Sequence, residues 1–244
     1  MNNYKLEIQY DGTKYKGWQR LKENPSKSIQ GKIEEILSKY LNENIEIIGS
    51  GRTDAGVHAI GQVCNFKTIK ELEENDFQNI NNYLPSDIRL INYLKVSEKF
   101  HSRYNANKKI YMYKIDNSSY GNPFIRNFSC HIPEKLEIEK LVEASKIFIG
   151  SHDFTAFSKN SNKKSCVREI FSINFKKHDD IIEIYFEGDG FLYNMVRMIT
   201  GSLINYGLNK ISLKEIEILL ENKKRDNFRY TAPPQGLFLY QVFY

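Results

Sequence analysis

The chain has 244 residues, of which 41% are apolar and 27% charged, a composition that excludes a disordered or fibrous protein and leaves room for one large domain or two small ones. The formal net charge is a modest +5, and three cysteines far apart in sequence (Cys64, Cys130, Cys166), with no C-x-x-C pair, argue against a disulfide framework and against a zinc cage. No apolar run approaches membrane-spanning length, and "MNNYKLEIQY" offers no signal-like segment, so a cytoplasmic protein with reduced, structural cysteines is expected.

Along the chain, "NYKLEIQYDG" alternates apolar and polar side chains and stops at Asp-Gly, the pattern of a half-buried strand ending in a turn. From Ile29, the residues Ile29, Ile33, Ile36, Leu37, Tyr40 and Leu41 fall on one helical face, and "NIEIIG" then reads as a strand running into the loop "GSGRTDAGVHA". "GQVCNF" is the next strand, "DFQNINNYL" a helix halted by Pro85, and "IRLINYLKV" another strand, giving a first half rich in βαβ alternation.

A second half opens near Lys108 with the strand "KIYMYKI", in which Tyr111, Tyr113 and Ile115 share a face. Ile138, Leu141, Val142, Ser145, Phe148 and Ile149 form a helical stripe that ends at Gly150. "SHDFTAF" reads as a helix or turn start with His152 and Asp153 capping locally. "CVREIFSINFKK" and "IIEIYFEG" are two strands around the turn His178-Asp179-Asp180. A long helix follows from about Leu192 to Asn205, then a shorter one from Leu213 to Leu220, and "GLFLYQVFY" closes the chain as a strand. The expected fold is α+β with two related domains, residues 1–104 and 105–244, and the site between them.

Two charged residues stand out chemically. Arg197 is the only charged side chain in "FLYNMVRMITGSLI". If buried it needs a carboxylate partner, for which Asp54 and Asp189 are the candidates; otherwise it is an edge residue facing water. Asp54 lies in a glycine-rich loop at a strand end, where Gly51 and Gly56 permit close approach of a substrate. An ionised carboxylate there suits a nucleophile or base, while the plain alternative is an Asx turn bonding the backbone of Gly56. His58 is expected to pack or cap, and the loop lacks the further carboxylates of a metal site and the lysine of a P-loop.

Basic residues cluster with tyrosines at Lys14, Tyr15, Lys16 and Arg20, and at Arg103, Tyr104, Lys108 and Lys109. Further clusters lie at Lys159, Lys163 and Lys164, and at Lys223, Lys224, Arg225 and Arg229. Such clusters suit phosphate contact and base stacking, and equally suit a solvated lysine surface.

Taken in order, "GWQR", "GRTDAG", "FLYNMVR" and "APPQGLFL" resemble the TruA family of tRNA pseudouridine synthases over nearly the whole chain. The resemblance implies isomerisation of uridines in the anticodon stem-loop of tRNA by a homodimer, without cofactor or metal. It also implies two domains, each a largely antiparallel sheet with helices on one face, around a basic cleft. Carried over residue by residue, Asp54 matches the essential aspartate, Tyr111 the active-site tyrosine and Arg197 the arginine paired with that aspartate. Arg52 matches an arginine that handles the flipped nucleotide, and Leu237 an apolar residue of the uracil pocket. The segment "NPFIRNFSCHIP", with Ser129 and Cys130, departs from the more aromatic pattern of relatives. RNA, rather than DNA or a membrane, is the partner implied. A basic module without chemistry and a hydrolase using Asp54 are the competing readings. Neither explains Asp54, Tyr111 and Arg197 together.

Overall fold

The computed structural model describes residues 1–159, 165–222 and 230–244. In chain order the elements are β1 (Asn2–Tyr10), α1 (Ile29–Leu41), β2 (Ile47–Gly49), β3 (His58–Thr68), α2 (Glu74–Tyr83), β4 (Ile88–Val96) and β5 (Lys108–Asp116). There follow β6 (Cys130–His131), α3 (Ile138–Ser145), β7 (Gly150–Asp153), β8 (Val167–His178), β9 (Ile181–Gly188), α4 (Met195–Gly207), α5 (Leu213–Asn222) and β10 (Leu237–Phe243). The fold is α+β. Its residues group into two compact units, Met1–Asn107 with Phe238–Tyr244, and Lys108–Leu237, so the last residues of the chain return to the first unit. Among the described residues no helix is long and apolar enough to cross a membrane.

In the first unit β1 runs antiparallel to both β3 and β4, and β2 is antiparallel to β3. Only β10 is parallel, with Phe238 opposite His58 and Leu239 opposite Ala59. The strand–helix–strand order of this half therefore does not make a parallel crossover sheet. The alternation of β1 buries Tyr4, Leu6, Ile8 and Tyr10. Tyr4 packs on Phe66 of β3 and on Phe77 of α2, with ring centroids 5.8 Å away in each case, which places α2 over that face. Helix α1 begins where Ser28 Oγ accepts the Gly31 amide (3.2 Å) and ends at Asn42 in the left-handed region (φ 53°). Its buried stripe is Ile29, Ile33, Leu37 and Leu41, and Tyr40 donates to Asp76 at 2.7 Å, tying α1 to α2.

The second unit orders its strands β5-β9-β8-β7, all neighbours antiparallel, with β6 parallel to β5. Tyr111, Tyr113 and Ile115 do share one face, opposite Phe186, Ile184 and Ile182 of β9, and all six are buried. Helix α4 buries Met195, Met198, Ile199 and Leu203 and packs beside α3. It starts three residues later than its apolar pattern suggests, because Asn194 is left-handed (φ 62°) and the helix cannot extend back through it. "SHDFTAF" forms the short strand β7 followed by one tight turn. Asp153 Oδ1 accepts from the Thr155 amide (3.0 Å) and hydroxyl (2.6 Å), the local capping expected of it. Cys64, Cys130 and Cys166 are buried, and none is in a disulfide.

One buried charge organises the first unit. Glu34 of α1 is 5% exposed and accepts from Arg20 Nη1 (3.1 Å), Gln30 Nε2 (3.0 Å) and the Ile47 amide (3.0 Å), joining the helix to β2 and to the segment after β1. Glu34→Ala strands these donors and is expected to lower unfolding free energy by about 2–3 kcal/mol. Urea titration measures this, and a loss below about 0.5 kcal/mol would mean that water replaces the carboxylate at no cost.

Candidate active site

The loop between β2 and β3 carries Asp54, and the backbone around it is held within the first unit. Gln62 of β3 pins the rising limb. Its Nε2 donates to the Gly51 carbonyl (3.1 Å), and its Oε1 accepts from Ser50 Oγ (2.8 Å), while the Ser50 amide bonds the Val63 carbonyl at 2.7 Å. The crest is held at Thr53, whose carbonyl accepts the Trp18 amide (3.0 Å) and whose hydroxyl shares a 2.8 Å hydrogen bond with Tyr10. Tyr10 and Trp18 are both buried, their rings 6.2 Å apart, and burial pushes the Tyr10 phenol upward, so it stays protonated.

Beyond Asp54 the chain turns sharply. The Val57 amide bonds the Asp54 carbonyl (3.1 Å) across Gly56, whose φ of 75° only glycine adopts freely. The Gly56 amide donates to the Tyr15 carbonyl (3.4 Å), tying this turn to the segment after β1. Backbone bonds close the turn, Asp54 is half-buried, and Arg52 is exposed. His58 packs and caps, as expected. It is 1% exposed, stacks on Phe238 with centroids 4.8 Å apart, and accepts the Gly12 amide through Nδ1 at 3.0 Å.

Tyr111, Arg197 and Leu237 belong to the second unit. Tyr111 of β5 is 8% exposed and meets Phe191 edge-on at 5.1 Å. Tyr113, two residues on, is fully buried and donates to the Pro233 carbonyl at 2.8 Å. Arg197, half-buried on α4, donates from Nε to the Ala232 carbonyl (2.7 Å) and from Nη1 to Asn194 Oδ1 (2.9 Å), while the Ala232 amide bonds the Arg197 carbonyl at 3.0 Å. Leu237 is 5% exposed and opens β10 directly after this segment. The motifs "KIYMY", "NMVR" and "APPQGL" thus form one hydrogen-bonded group. Asp189, the other carboxylate considered for Arg197, accepts the Glu169 amide (3.0 Å). The sequence reading missed the neutral anchors Asn194 and Ala232; an asparagine three residues before Arg197 was the available signal.

The basic clusters divide by role. Arg20 pairs with Glu34 and Glu46, Lys108 with Glu187, and Tyr15 is a core residue bonded to Asp87 at 2.7 Å. Lys14, Lys16, Arg103, Tyr104 and Lys159 are exposed, while Lys163, Lys164, Lys223, Lys224, Arg225 and Arg229 lie outside the described residues. Among the described residues no group of three or more His, Cys, Asp or Glu side chains is placed to hold a metal.

The family model described as tRNA pseudouridine synthase matches residues 7–105 and 144–244, spans that contain Asp54, Arg52, Arg197 and Leu237 and leave Tyr111 between them. The chain is similar to tRNA pseudouridine synthase A 2 of Bacillus anthracis, at 47% identity over 244 residues and 99% of each chain. It is likewise similar to tRNA pseudouridine synthase A of Bacillus sp. (strain KSM-64), at 51% identity over 98% of each, and to that of Acetivibrio thermocellus, at 42% identity over 100% of both. Among solved structures, a Cbf5-Nop10-Gar1 complex is a distant likeness, with TM-score 0.37 and 12% identity over 86% of this chain and 44% of that one.

The loop geometry is testable without substrate. Gly17 has φ 98°, and a Cβ there would lie 2.6 Å from the Thr53 carbonyl oxygen, so Gly17→Ala must displace the bond that holds the crest. The expected cost is about 2 kcal/mol of stability in thermal or urea unfolding, and a near-neutral result would show the crest to be pliant.

Proposed function

The chain belongs to the tRNA pseudouridine synthase family, and on that premise we propose that it isomerises specific uridines of the tRNA anticodon stem-loop to pseudouridine, with Asp54 as the essential carboxylate. The observation that carries this reading is the Asp54 loop, held next to Asp54 at Thr53 by the Trp18 amide and the Tyr10 hydroxyl. Substrate and product have the same atoms, so the reaction needs no net oxidant, reductant or second substrate. What it needs is access to a glycosidic bond buried in a stacked stem, and hence extrusion of the nucleotide.

In this reading Tyr111 gives the flipped base an aromatic face, Leu237 an apolar wall, and Arg52 a contact to the extruded nucleotide. Asp54 acts at the ribose, either by attack on C1′ or by removal of the C2′ proton, and the glycosidic C–N bond breaks. Uracil turns and its C5 bonds C1′, displacing Asp54 in the first route or with return of the C2′ proton from Asp54 in the second. The C5–H proton is then lost and N1 gains one, so that no atom is added or removed overall. Arg197 pairs with Asp54 and keeps it ionised. The exposed basic residues Lys14, Lys16, Arg103 and Lys159 hold the phosphate backbone, which makes affinity fall with salt. The protein works in the cytoplasm, as a homodimer whose subunits share the RNA. Sedimentation at micromolar protein without RNA is expected to show a dimer, and a fully active monomer would remove that part of the proposal.

The test of the chemistry is Asp54→Asn, which keeps size and turn propensity and removes the charge. RNA affinity is expected to change little and to keep nearly the wild-type salt dependence, while pseudouridine formation disappears. Substantial turnover by this variant would take Asp54 out of the reaction. Salt-dependent binding with no product from the wild-type protein would instead favour a binding module.

A further inference from the structure

Asn194 stands at the cap position of α4, where an asparagine oxygen ordinarily accepts a backbone amide of the first turn. It makes no such bond. Its Oδ1 accepts from Arg197 Nη1 at 2.9 Å instead. The amide's orientation follows from chemistry, since a guanidinium only donates and the oxygen must face it. The cost falls on the other end of the amide. Asn194 is 5% exposed, and its Nδ2 is buried without a hydrogen-bond partner. A residue that forgoes a helix cap and strands a buried donor in order to present one oxygen is poorly explained by stability alone.

A second anchor of Arg197 is of the same kind, the Ala232 carbonyl receiving Nε at 2.7 Å. Both of these acceptors are neutral. They fix the plane of the guanidinium without cancelling its charge, whereas a carboxylate oxygen in either place would accept the same hydrogen bond and pair with the charge. We infer that Asn194 is a positioning residue of the reaction, one that orients Arg197 while keeping its full positive charge directed at the catalytic carboxylate. This rests on the reading above, in which Arg197 holds Asp54 ionised.

The decisive variant is Asn194→Asp. It has the same shape, tolerates the left-handed backbone, retains an oxygen for Nη1 and replaces the stranded donor with an acceptor. A purely structural role predicts wild-type stability and wild-type turnover. The positioning role predicts a melting temperature equal to or above wild type together with a kcat at least about tenfold lower and a KM for tRNA nearly unchanged. Asn194→Ala, which removes the acceptor without adding charge, is expected to lower kcat by about three- to tenfold at unchanged KM, and it carries the test if aspartate disturbs the start of α4. Wild-type kcat in a folded Asn194→Asp protein, in Asn194→Ala, or in both overturns the inference, as does a loss of activity that merely follows a lower melting temperature. The wild-type and Asp54→Asn proteins are run in the same assay. A silent wild type or an active Asp54→Asn protein refutes the isomerase reading itself, while the expected behaviour of both with an unaffected Asn194→Asp refutes only the role of Asn194.

Discussion

The hydrogen bond from the Trp18 amide to the Thr53 carbonyl is the constraint on which the placement of the Asp54 loop in the first unit depends. A loop is ordinarily the most mobile part of a protein, and a carboxylate on a mobile loop cannot be aimed. Here Thr53 is gripped twice, by Trp18 at its carbonyl and by Tyr10 at its hydroxyl, with Asp54 the next residue. Both partners are buried, so water does not compete well for these bonds. The entropy of ordering the loop is thereby met by the core of the unit rather than by the ligand.

The second unit solves a different problem, which is to fix the guanidinium of Arg197 on an otherwise apolar helix through neutral acceptors. Arg197 is tied at backbone and side chain to the segment that precedes β10, and Tyr113 holds the next carbonyl of that segment. Tyr111 and Tyr113 share a face of β5 but not a task. The fully buried Tyr113 is a strut bonded to Pro233, whereas Tyr111, 8% exposed, packs in a T-shaped pair with Phe191.

Charge on this protein likewise has to be sorted by partner before it is counted as surface potential. Arg20 and Lys108 sit within basic, tyrosine-rich stretches, yet each is matched to glutamates, and Tyr15 of the same stretch is core. Fewer cations therefore remain for phosphate than the clusters suggest. Those that do remain among the described residues, such as Lys14, Lys16 and Arg103, are solvent-facing and salt-screened.

Local periodicity determined most of the elements from sequence alone. The bounds of β1, β4, β5, β9 and α1 follow from alternation and helical spacing, because each is set by which neighbouring side chains leave water together. The motifs also marked Asp54 and Arg197, since a lone carboxylate among glycines and a lone cation in an apolar helix are visible without coordinates. Only the tertiary structure decided that β10 returns to the first unit, that α4 begins after a left-handed Asn194, and that the Gly56 amide meets the Tyr15 carbonyl. The same is true of the anchors, for Tyr10 meets Thr53 across 43 residues and Tyr113 meets Pro233 across 120. A hydrogen bond between residues so far apart depends on strand register and chain return, which are settled by the packing of the whole unit and leave no periodic trace in the sequence at either end.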